Sequence, residues 1–175
     1  MAIFKPKYFA DNLESFARQV VPPSMWNRWG VKALDKMDQR ILEFIDEFRY
    51  DCGVPLTCND WSWEGNFSQR GVRDVKQYGT YERMEASRSD HLVGRAADLV
   101  SSKLTGHELR LKFIEKEQYY FEKYGINFIE VGTVGKGVSM TWYHASINID
   151  LGQGVEYWSP VLGFVSKERV IEEGL

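Results

Sequence analysis

The chain has 175 residues, 43% of them hydrophobic and 27% charged, with a formal net charge of −3. This length suffices to bury one core, and we expect a single α+β domain over residues 1–175. The mild acidity and the lack of a basic patch argue against a protein that binds nucleic acid by neutralising phosphates.

No stretch of the sequence approaches about 18 consecutive apolar residues, the length that a helix needs to cross a bilayer. The N-terminal segment contains lysines but no apolar run of about 7–15 residues, so it does not resemble a secretory signal. We therefore expect a monomeric protein that is made in the cytoplasm and has no membrane partner.

Three helices are predicted in the first third of the chain. Residues 11–21 have an amphipathic pattern that ends at a Val-Pro-Pro sequence, and Ser24 is expected to cap a short helix with the sequence MWNRW. The clearest helix covers residues 31–51, and Gly53 follows its end. Its apolar side chains at helical spacing are Leu34, Met37, Ile41, Ile45 and Phe48.

The next region is predicted to be mostly irregular. Residues 54–60, VPLTCND, predict a strand that leads into a loop. Residues 61–89 are polar and aromatic without steady periodicity, so we expect a long, functional segment with short pieces of structure. Cys52 and Cys58 lack the CxxC spacing of a thiolate metal site, and we expect a reduced pair rather than a disulfide across the turn.

The second half of the chain predicts strands around one helix. Residues 94–100, GRAADLV, predict a buried strand, and Thr105 and Glu108 form a capping box for a helix that ends at Gly125. Residues 127–149 predict a β-hairpin with its tip around Lys136, and the tail predicts a further strand and a final helical turn. We expect an antiparallel sheet with helices packed on one side. The apolar face of the helix consists of Leu109, Phe113, Tyr120 and Tyr124.

Two of the three histidines combine with one aspartate into a candidate metal site. His91 lies seven residues before Asp98, and His144 lies in an alternating strand pattern, TWYHASINI. Two imidazoles and one carboxylate suit a catalytic zinc, because a fourth position stays open for water or substrate. From spacing alone, a core histidine and an aspartate at a strand end explain the pattern at least as well. His107, in the first turn of a helix, is expected to be a surface residue.

The segment SDHLVGRAAD resembles the signature of the zinc D-alanyl-D-alanine carboxypeptidase and L-alanyl-D-glutamate endopeptidase family, which has the Hedgehog/DD-peptidase fold. That signature is a serine followed by His-x-x-Gly-x-Ala-x-Asp, and Ser89, His91, Gly94, Ala96 and Asp98 match it in register. The family's last zinc ligand follows an aromatic residue in a later strand, where TWYHAS supplies a histidine. The resemblance covers residues 35–150, and residues 54–73 are similar to phage-encoded members.

The resemblance implies a zinc site formed by His91, Asp98 and His144, with the zinc at the open face of the sheet. It implies zinc-dependent hydrolysis of an amide bond in the peptide of bacterial peptidoglycan, as in a phage endolysin. The protein would reach the wall after release from the cell or as part of a phage particle.

One feature of the family is absent from the sequence. Members carry a general base near the last histidine, either an acidic residue three positions before it, an aspartate two positions after it, or another histidine. Here those positions hold Thr141 and Ser146, and neither accepts a proton near neutral pH. Either another residue supplies the base or the protein is a non-catalytic, zinc-containing structural or peptidoglycan-binding module of a virion.

Glu130 is the predicted substitute for the missing base. If the hairpin pairs symmetrically about Lys136, Glu130 faces Trp142 and Phe128 faces His144. Glu130 and His144 would then be diagonal neighbours on one face, about 7–8 Å apart, and a register slipped by one residue would separate them. The alternative is a solvated carboxylate on the hairpin.

The irregular segment also supplies candidate substrate contacts. Arg70 and Arg73 follow an aromatic run, and an arginine fork binds the free carboxylates of stem peptides in a bidentate manner. Surface salt bridges are an equally good explanation for either arginine. Trp61 is expected to line the groove as an apolar platform, although core packing would also account for a tryptophan there.

Overall fold

The computed structural model describes residues 4–132 and 141–175. The described α-helices are α1 (Leu13–Val20), α2 (Pro23–Trp29), α3 (Gln39–Cys52), α4 (Val75–Tyr78), α5 (Tyr81–Ala86), α6 (Gly106–Ile114), α7 (Glu117–Tyr124) and α8 (Lys167–Glu173). Short 3-10 helices cover Gly30–Lys36, Trp61–Trp63 and Asp90–Val93. The strands are β1 (Ala96–Leu99), β2 (Phe128–Glu130), β3 (Tyr143–Ser146), β4 (Glu156–Ser159) and β5 (Gly163–Val165). None of the helices in these residues is long and apolar enough to cross a bilayer.

The first helices follow the sequence pattern with two corrections. α2 begins at Pro23 instead of after Ser24, because proline tolerates the first helical position, where its missing N–H is not needed. The predicted helix over residues 31–51 is divided into the 3-10 helix Gly30–Lys36 and α3. The division falls at Asp38, whose side chain accepts a hydrogen bond from the backbone N–H of Arg40 and so caps α3.

Residues 54–60 do not form the predicted strand. They make a single isolated bridge in which the backbones of Thr57 and Val100 exchange hydrogen bonds of 2.8 and 2.9 Å. The side chains of Asn59 and Asp60 bond to neighbouring loop backbone, so the ladder does not extend. Residues 61–89 are mostly irregular, as predicted, and contain one 3-10 turn and two short helices.

The capping box at Thr105 and Glu108 is confirmed. The helix that follows it is two helices, because α6 ends at Ile114 and α7 starts at Glu117 after a turn at residues 115–116, where Lys116 leaves the helical conformation. Gly125 ends α7 in the left-handed region at φ 73°, as the sequence predicts. The four apolar positions of the predicted helix face are all buried.

The five strands form one mixed sheet in the order β1-β3-β2-β4-β5, which corrects the predicted antiparallel sheet. β3 is antiparallel to both β1 and β2, so the two arms of the predicted hairpin do pair. β4 lies parallel to β2, because the chain passes from β3 across β2 before it re-enters the sheet. The predicted hairpin tip around Lys136 lies outside the described residues.

The two faces of the sheet differ in their neighbours. Tyr143 points to the face covered by helices, where its ring packs against Phe48 of α3 at 4.9 Å and Phe113 of α6 at 6.0 Å between ring centres. Its neighbour His144 points to the opposite face, because side chains alternate along a strand. The predicted arrangement of helices on one face and the candidate site on the other is therefore present.

Candidate metal centre

Three strands bring Asp98, His144 and Glu130 into one row across the sheet. In the register of the pairs, Asp98 lies opposite His144 on one side and Glu130 lies opposite it on the other. The predicted pairing of Glu130 with Trp142 is therefore wrong by two residues. A shift of two residues preserves the face of each side chain, so Glu130 is a direct neighbour of His144 instead of a diagonal one.

His91 reaches the row from the 3-10 helix Asp90–Val93, directly before β1. Gly94 ends this turn at φ 66°, and a Cβ there would lie 2.5 Å from the Cα of Met37. The carbonyl of Gly94 accepts a hydrogen bond from the backbone N–H of Asp38. The glycine in the His-x-x-Gly pattern thus lets the turn pack directly on the segment before α3.

The predicted ligand atoms converge in a buried cluster, since His91, Asp98 and His144 can each direct one ligand atom to within 4.8 Å of the others. His91 Nε2 lies 3.3 Å from His144 Nδ1 and 3.4 Å from Asp98 Oδ1. Bonds of about 2.0–2.1 Å in a tetrahedron separate ligand atoms by about 3.3 Å, so these two distances fit a zinc-sized ion. His144 Nδ1 lies closer to Asp98 Oδ1, at the hydrogen-bonding distance of 2.7 Å. This group could hold a metal ion once Nδ1 of His144 gives up its proton.

The second ring nitrogen of His91 fixes its orientation. Nδ1 lies 2.6 Å from the carbonyl oxygen of Gly71, which can only accept, so Nδ1 carries the proton. Nε2 therefore presents its lone pair to the cluster, the arrangement that metal-bound histidines use. Burial is the main cause that lowers the pKa of His91, which keeps its imidazole neutral and able to bind a cation.

Asp98 supplies the negative charge of the cluster. Burial acts to raise the pKa of its carboxyl, but the two histidines oppose this effect and hold the pKa well below its usual range. Arg73 donates from Nη2 to Asp98 Oδ2 at 2.9 Å. The carboxylate is therefore ionised and held in position, with Oδ1 facing the histidines.

Residues 70–73 form a brace behind the cluster that sequence reasoning missed. The carbonyl of Arg70 accepts from the N–H of Asp98 at 2.7 Å, and the N–H of Arg73 donates to the carbonyl of His91 at 3.1 Å. A Cβ on Gly71 would lie 2.0 Å from the carbonyl oxygen of Val20, so this position requires glycine. The sequence gives these residues only as the string Gly-Val-Arg. The residues that they contact are distant in the chain, so no local pattern marks the brace.

The three predicted substrate contacts have different structural roles, and Trp61 is not among the residues that line the cavity over the cluster. Arg73 is bonded to Asp98 and to the carbonyl of Gln69, which leaves Nη1 of its guanidinium for other contacts. Arg70 stacks its guanidinium on the ring of Phe67 at 3.5 Å. Trp61 donates from Nε1 to the carbonyl of Val21 at 2.9 Å and so ties its loop to α1. Their contact with substrate stays a prediction.

A cavity of about 350 Å³ opens over the cluster. Its walls include the aromatic side chains of Phe128, Trp142 and Trp158, and Glu130 lies among them. Burial raises the pKa of Glu130, against the opposing effect of His144, and so brings the carboxyl closer to neutral pH. A carboxylate and a prospective metal site therefore share one cavity.

Sequence reasoning also missed Asp90, a third carboxylate in this cavity besides those of Asp98 and Glu130. The hydroxyl of Ser146 donates to Asp90 Oδ2 at 3.2 Å, and burial raises the pKa of the carboxyl. Asp90 is the middle residue of the Ser-Asp-His string at residues 89–91. Only the fold brings it beside Ser146, the position two residues after His144. The cavity is thus lined by two carboxylates outside the His-Asp-His group, those of Asp90 and Glu130.

The remaining candidates lie away from the cluster. His107 lies outside the His-Asp-His group, with its Nδ1 2.9 Å from the carbonyl oxygen of Leu175, and it is partly buried rather than the predicted surface residue. Cys52 and Cys58 are both free and fully buried. Burial raises the pKa of the Cys52 thiol to about 12 and that of Cys58 further, so both thiols are protonated near neutral pH.

Comparison with models of protein families, with curated proteins and with solved structures finds no match. The arrangement of the residues is therefore the basis for assigning a function. It combines a buried His-Asp-His group, an acidic residue next to it and an aromatic cavity above it.

Proposed function

We propose that the protein is a zinc-dependent peptidase that hydrolyses an amide bond in the peptide of bacterial peptidoglycan. The observation that carries the proposal is the row formed by Asp98, His144 and Glu130, completed by His91. This arrangement supports the proposal because three residues that could hold a metal ion and a candidate general base line one cavity.

Zinc is the metal that suits this donor set best. Two imidazoles and one carboxylate are the ligands of several catalytic zinc sites, and a soft thiolate is absent from the group. Zinc bound there would supply Lewis acidity, which lowers the pKa of water to about 7.

Glu130 acts as the general base in this proposal. It lies opposite His144, and its raised pKa suits a group that accepts a proton and later releases it. The carboxylate takes a proton from the attacking water and passes it to the amine that leaves. Arg73 holds Asp98 in place, so that the ligand keeps its orientation through the cycle.

The resemblance of SDHLVGRAAD to the peptidoglycan peptidase signature supports the choice of substrate. The cavity adds a physical argument, because a volume of about 350 Å³ with aromatic walls fits a short peptide segment. The same resemblance favours a phage protein that acts on the wall after release or from a virion.

A wall-digestion assay tests the proposal. Purified peptidoglycan is incubated with zinc-loaded protein, with and without a chelator, and new amino termini are counted. We expect new termini that disappear on chelation and return when zinc is added back. Zinc-loaded protein that releases no termini would contradict the proposal.

A second candidate function is a zinc-containing binding module without catalytic activity. It is favoured by Thr141 and Ser146, which occupy the positions where the family carries its base, and by the hydrogen bond that commits Ser146 to Asp90. This module would retain zinc and sediment with peptidoglycan but leave its amide bonds intact.

A further inference from the structure

A second pocket adjoins the metal cavity and shares Arg73 and Asp98 with it. It has a volume of about 370 Å³ and is lined by residues 66–70, by α4 and by Asp98. Its charged walls consist of Arg70, Arg73 and Lys76, against the single carboxylate of Asp98. The pocket is therefore cationic and adjoins a metal ligand.

Arg70 is built into the wall of this pocket. Its N–H donates to the buried side chain of Asn59 at 2.8 Å, and its carbonyl accepts from Asp98 at 2.7 Å. Its guanidinium carbon lies 3.5 Å from the ring centre of Phe67. Backbone and side chain are thus both held in position before any ligand arrives.

The charge of Arg70 is not balanced by a direct partner. In residues 4–132 and 141–175, its half-buried guanidinium makes no hydrogen bond or ion pair, whereas that of Arg73 is bonded to Asp98 and Gln69. Lys76, exposed at the pocket rim, forms no ion pair within the described residues either.

We propose that this pocket binds a free carboxylate of a peptide ligand, held by Arg70 with Lys76 at the rim. The proposal deepens the proposed function and rests on it for the identity of the peptide. Arg73 and Asp98 line both pockets, so a peptide whose carboxylate lies here has its neighbouring amide bond next to the metal cavity. The planar guanidinium matches a carboxylate in a bidentate manner, and the amides of Asn66 and Gln77 offer partners for the adjoining peptide group.

The test measures binding of N-acetyl-D-alanine and of its uncharged amide by calorimetry, with zinc-loaded and with metal-free protein. We expect the acid to bind both forms and the amide to bind at least tenfold more weakly, because charge-assisted hydrogen bonds are lost. Arg70→Gln should weaken binding of the acid about tenfold or more, and Lys76→Gln, at an exposed position, should weaken it less. Arg83→Gln, which removes an exposed arginine outside the pocket, is the matched control and should change nothing.

Several results would overturn the proposal. It fails if the parent does not bind the acid, if acid and amide bind equally, or if Arg70→Gln and Lys76→Gln both keep full affinity. Binding that is lost when zinc is removed would also overturn it, because the anion would then be bound by the metal. Tighter binding of inorganic sulfate than of the acid would replace carboxylate by a sulfate-like or phosphate-like ligand. Acid binding that depends on Arg70, in a protein that releases no termini from peptidoglycan, would reject the peptidase and retain this pocket.

Discussion

Glu130 is partly buried in the sheet, unlike a carboxylate on a solvated hairpin. It lies opposite His144 in the sheet, and its main-chain neighbour on the other side is Trp158 of β4. Half-burial between these residues raises its pKa, whereas an exposed carboxylate on a hairpin would keep its ordinary value. The position is therefore not that of a solvated hairpin carboxylate, and the role of Glu130 as general base stays a proposal.

The change Glu130→Gln tests this role directly. The amide has the same shape and the residue is outside the metal-binding group, so the variant should keep its fold and its zinc. Its rate of peptidoglycan cleavage should fall by roughly 10²–10⁴-fold, the usual contribution of a general acid–base residue. Release of amino termini is the measurement.

Glu122→Gln is the control for that change, because Glu122 is an exposed carboxylate on α7 that accepts a hydrogen bond from Gln118 and lies outside the cavity. It should cleave at the parental rate. A Glu130→Gln variant as fast as the parent would remove Glu130 from the mechanism and direct attention to Asp90.

Gly71 provides a test of the brace behind His91. In Gly71→Ala the new methyl would meet the carbonyl of Val20, so the backbone must move and the acceptor of His91 Nδ1 moves with it. We expect zinc affinity to fall about 10–100-fold, the usual effect of disturbing a partner of a metal-bound histidine. Zinc titration against a competing chelator measures this effect.

Gly152→Ala is the matched control, because nothing lies within 4 Å of a Cβ at that position. Circular dichroism of both variants separates a loss of metal affinity from a loss of fold. A folded Gly71→Ala variant with parental zinc affinity would show that the brace does not orient His91.

At the residue scale, local sequence could predict the ligands but not their supports. His91, Asp98 and His144 were identified from the resemblance of their motif and the strand pattern, and they converge as predicted. Gly71 and Arg73 act on them across gaps of 20 and 25 residues, and no local pattern encodes such contacts. Glu130 was placed on the correct face because only the parity of the register matters for that choice.

Among the elements, α3 and α7 are joined by a polar cluster around Glu47. Its carboxylate accepts from Tyr119 Oη at 2.6 Å and from Lys123 Nζ at 2.7 Å, and Tyr124 also donates to it. Burial acts to raise the pKa of Glu47, but these donors outweigh it and lower the pKa to about 2. Glu47 is therefore ionised across the whole range in which the protein is expected to work.

This shift predicts how stability changes with pH. Because the folded pKa of Glu47 is below the unfolded value of about 4.5, its contribution is complete above pH 4.5 and is lost as the pH falls towards 2. Glu47→Gln should lower the free energy of unfolding by about 1 kcal/mol at pH 7, since solvent screens a partly exposed pair. Urea denaturation at several pH values should show the difference from the parent shrinking below pH 4.5.

A difference between Glu47→Gln and the parent that stays constant from pH 7 to pH 3 would contradict this explanation. Glu43→Gln is the control, because Glu43 is a partly exposed carboxylate on the same helix that accepts a hydrogen bond from Gln39. It should lower stability little at any pH.

The elements that sequence predicted best are those with strong local signals. The capping box at Thr105, the amphipathic α1 and the glycine stops after α3 and α7 are all present. The predicted strand at residues 54–60 failed because strand formation needs a partner, and only Thr57 finds one. The predicted antiparallel sheet was wrong for a related reason: β2 pairs with β4 in parallel, and a strand's own sequence does not specify its neighbour.

For the whole molecule, the candidate site is assembled from segments that are distant in the chain. The 3-10 helix Asp90–Val93 supplies His91, β1 supplies Asp98, β3 supplies His144 and β2 supplies Glu130. Residues 70–73 brace the first two of these from behind. A metal that binds this group would therefore connect the irregular segment to the sheet.

The measurement that tests the account most directly is the zinc content of the purified protein and three variants. The parent should bind about one zinc per chain, and His91→Ala and His144→Ala should each lose stable binding, because two remaining protein ligands hold the ion poorly against water. His107→Ala should bind as the parent does, since its ring lies beside Leu175 and outside the ligand group. Full zinc content in both His91→Ala and His144→Ala, or none in the parent, would contradict the assignment of this metal centre.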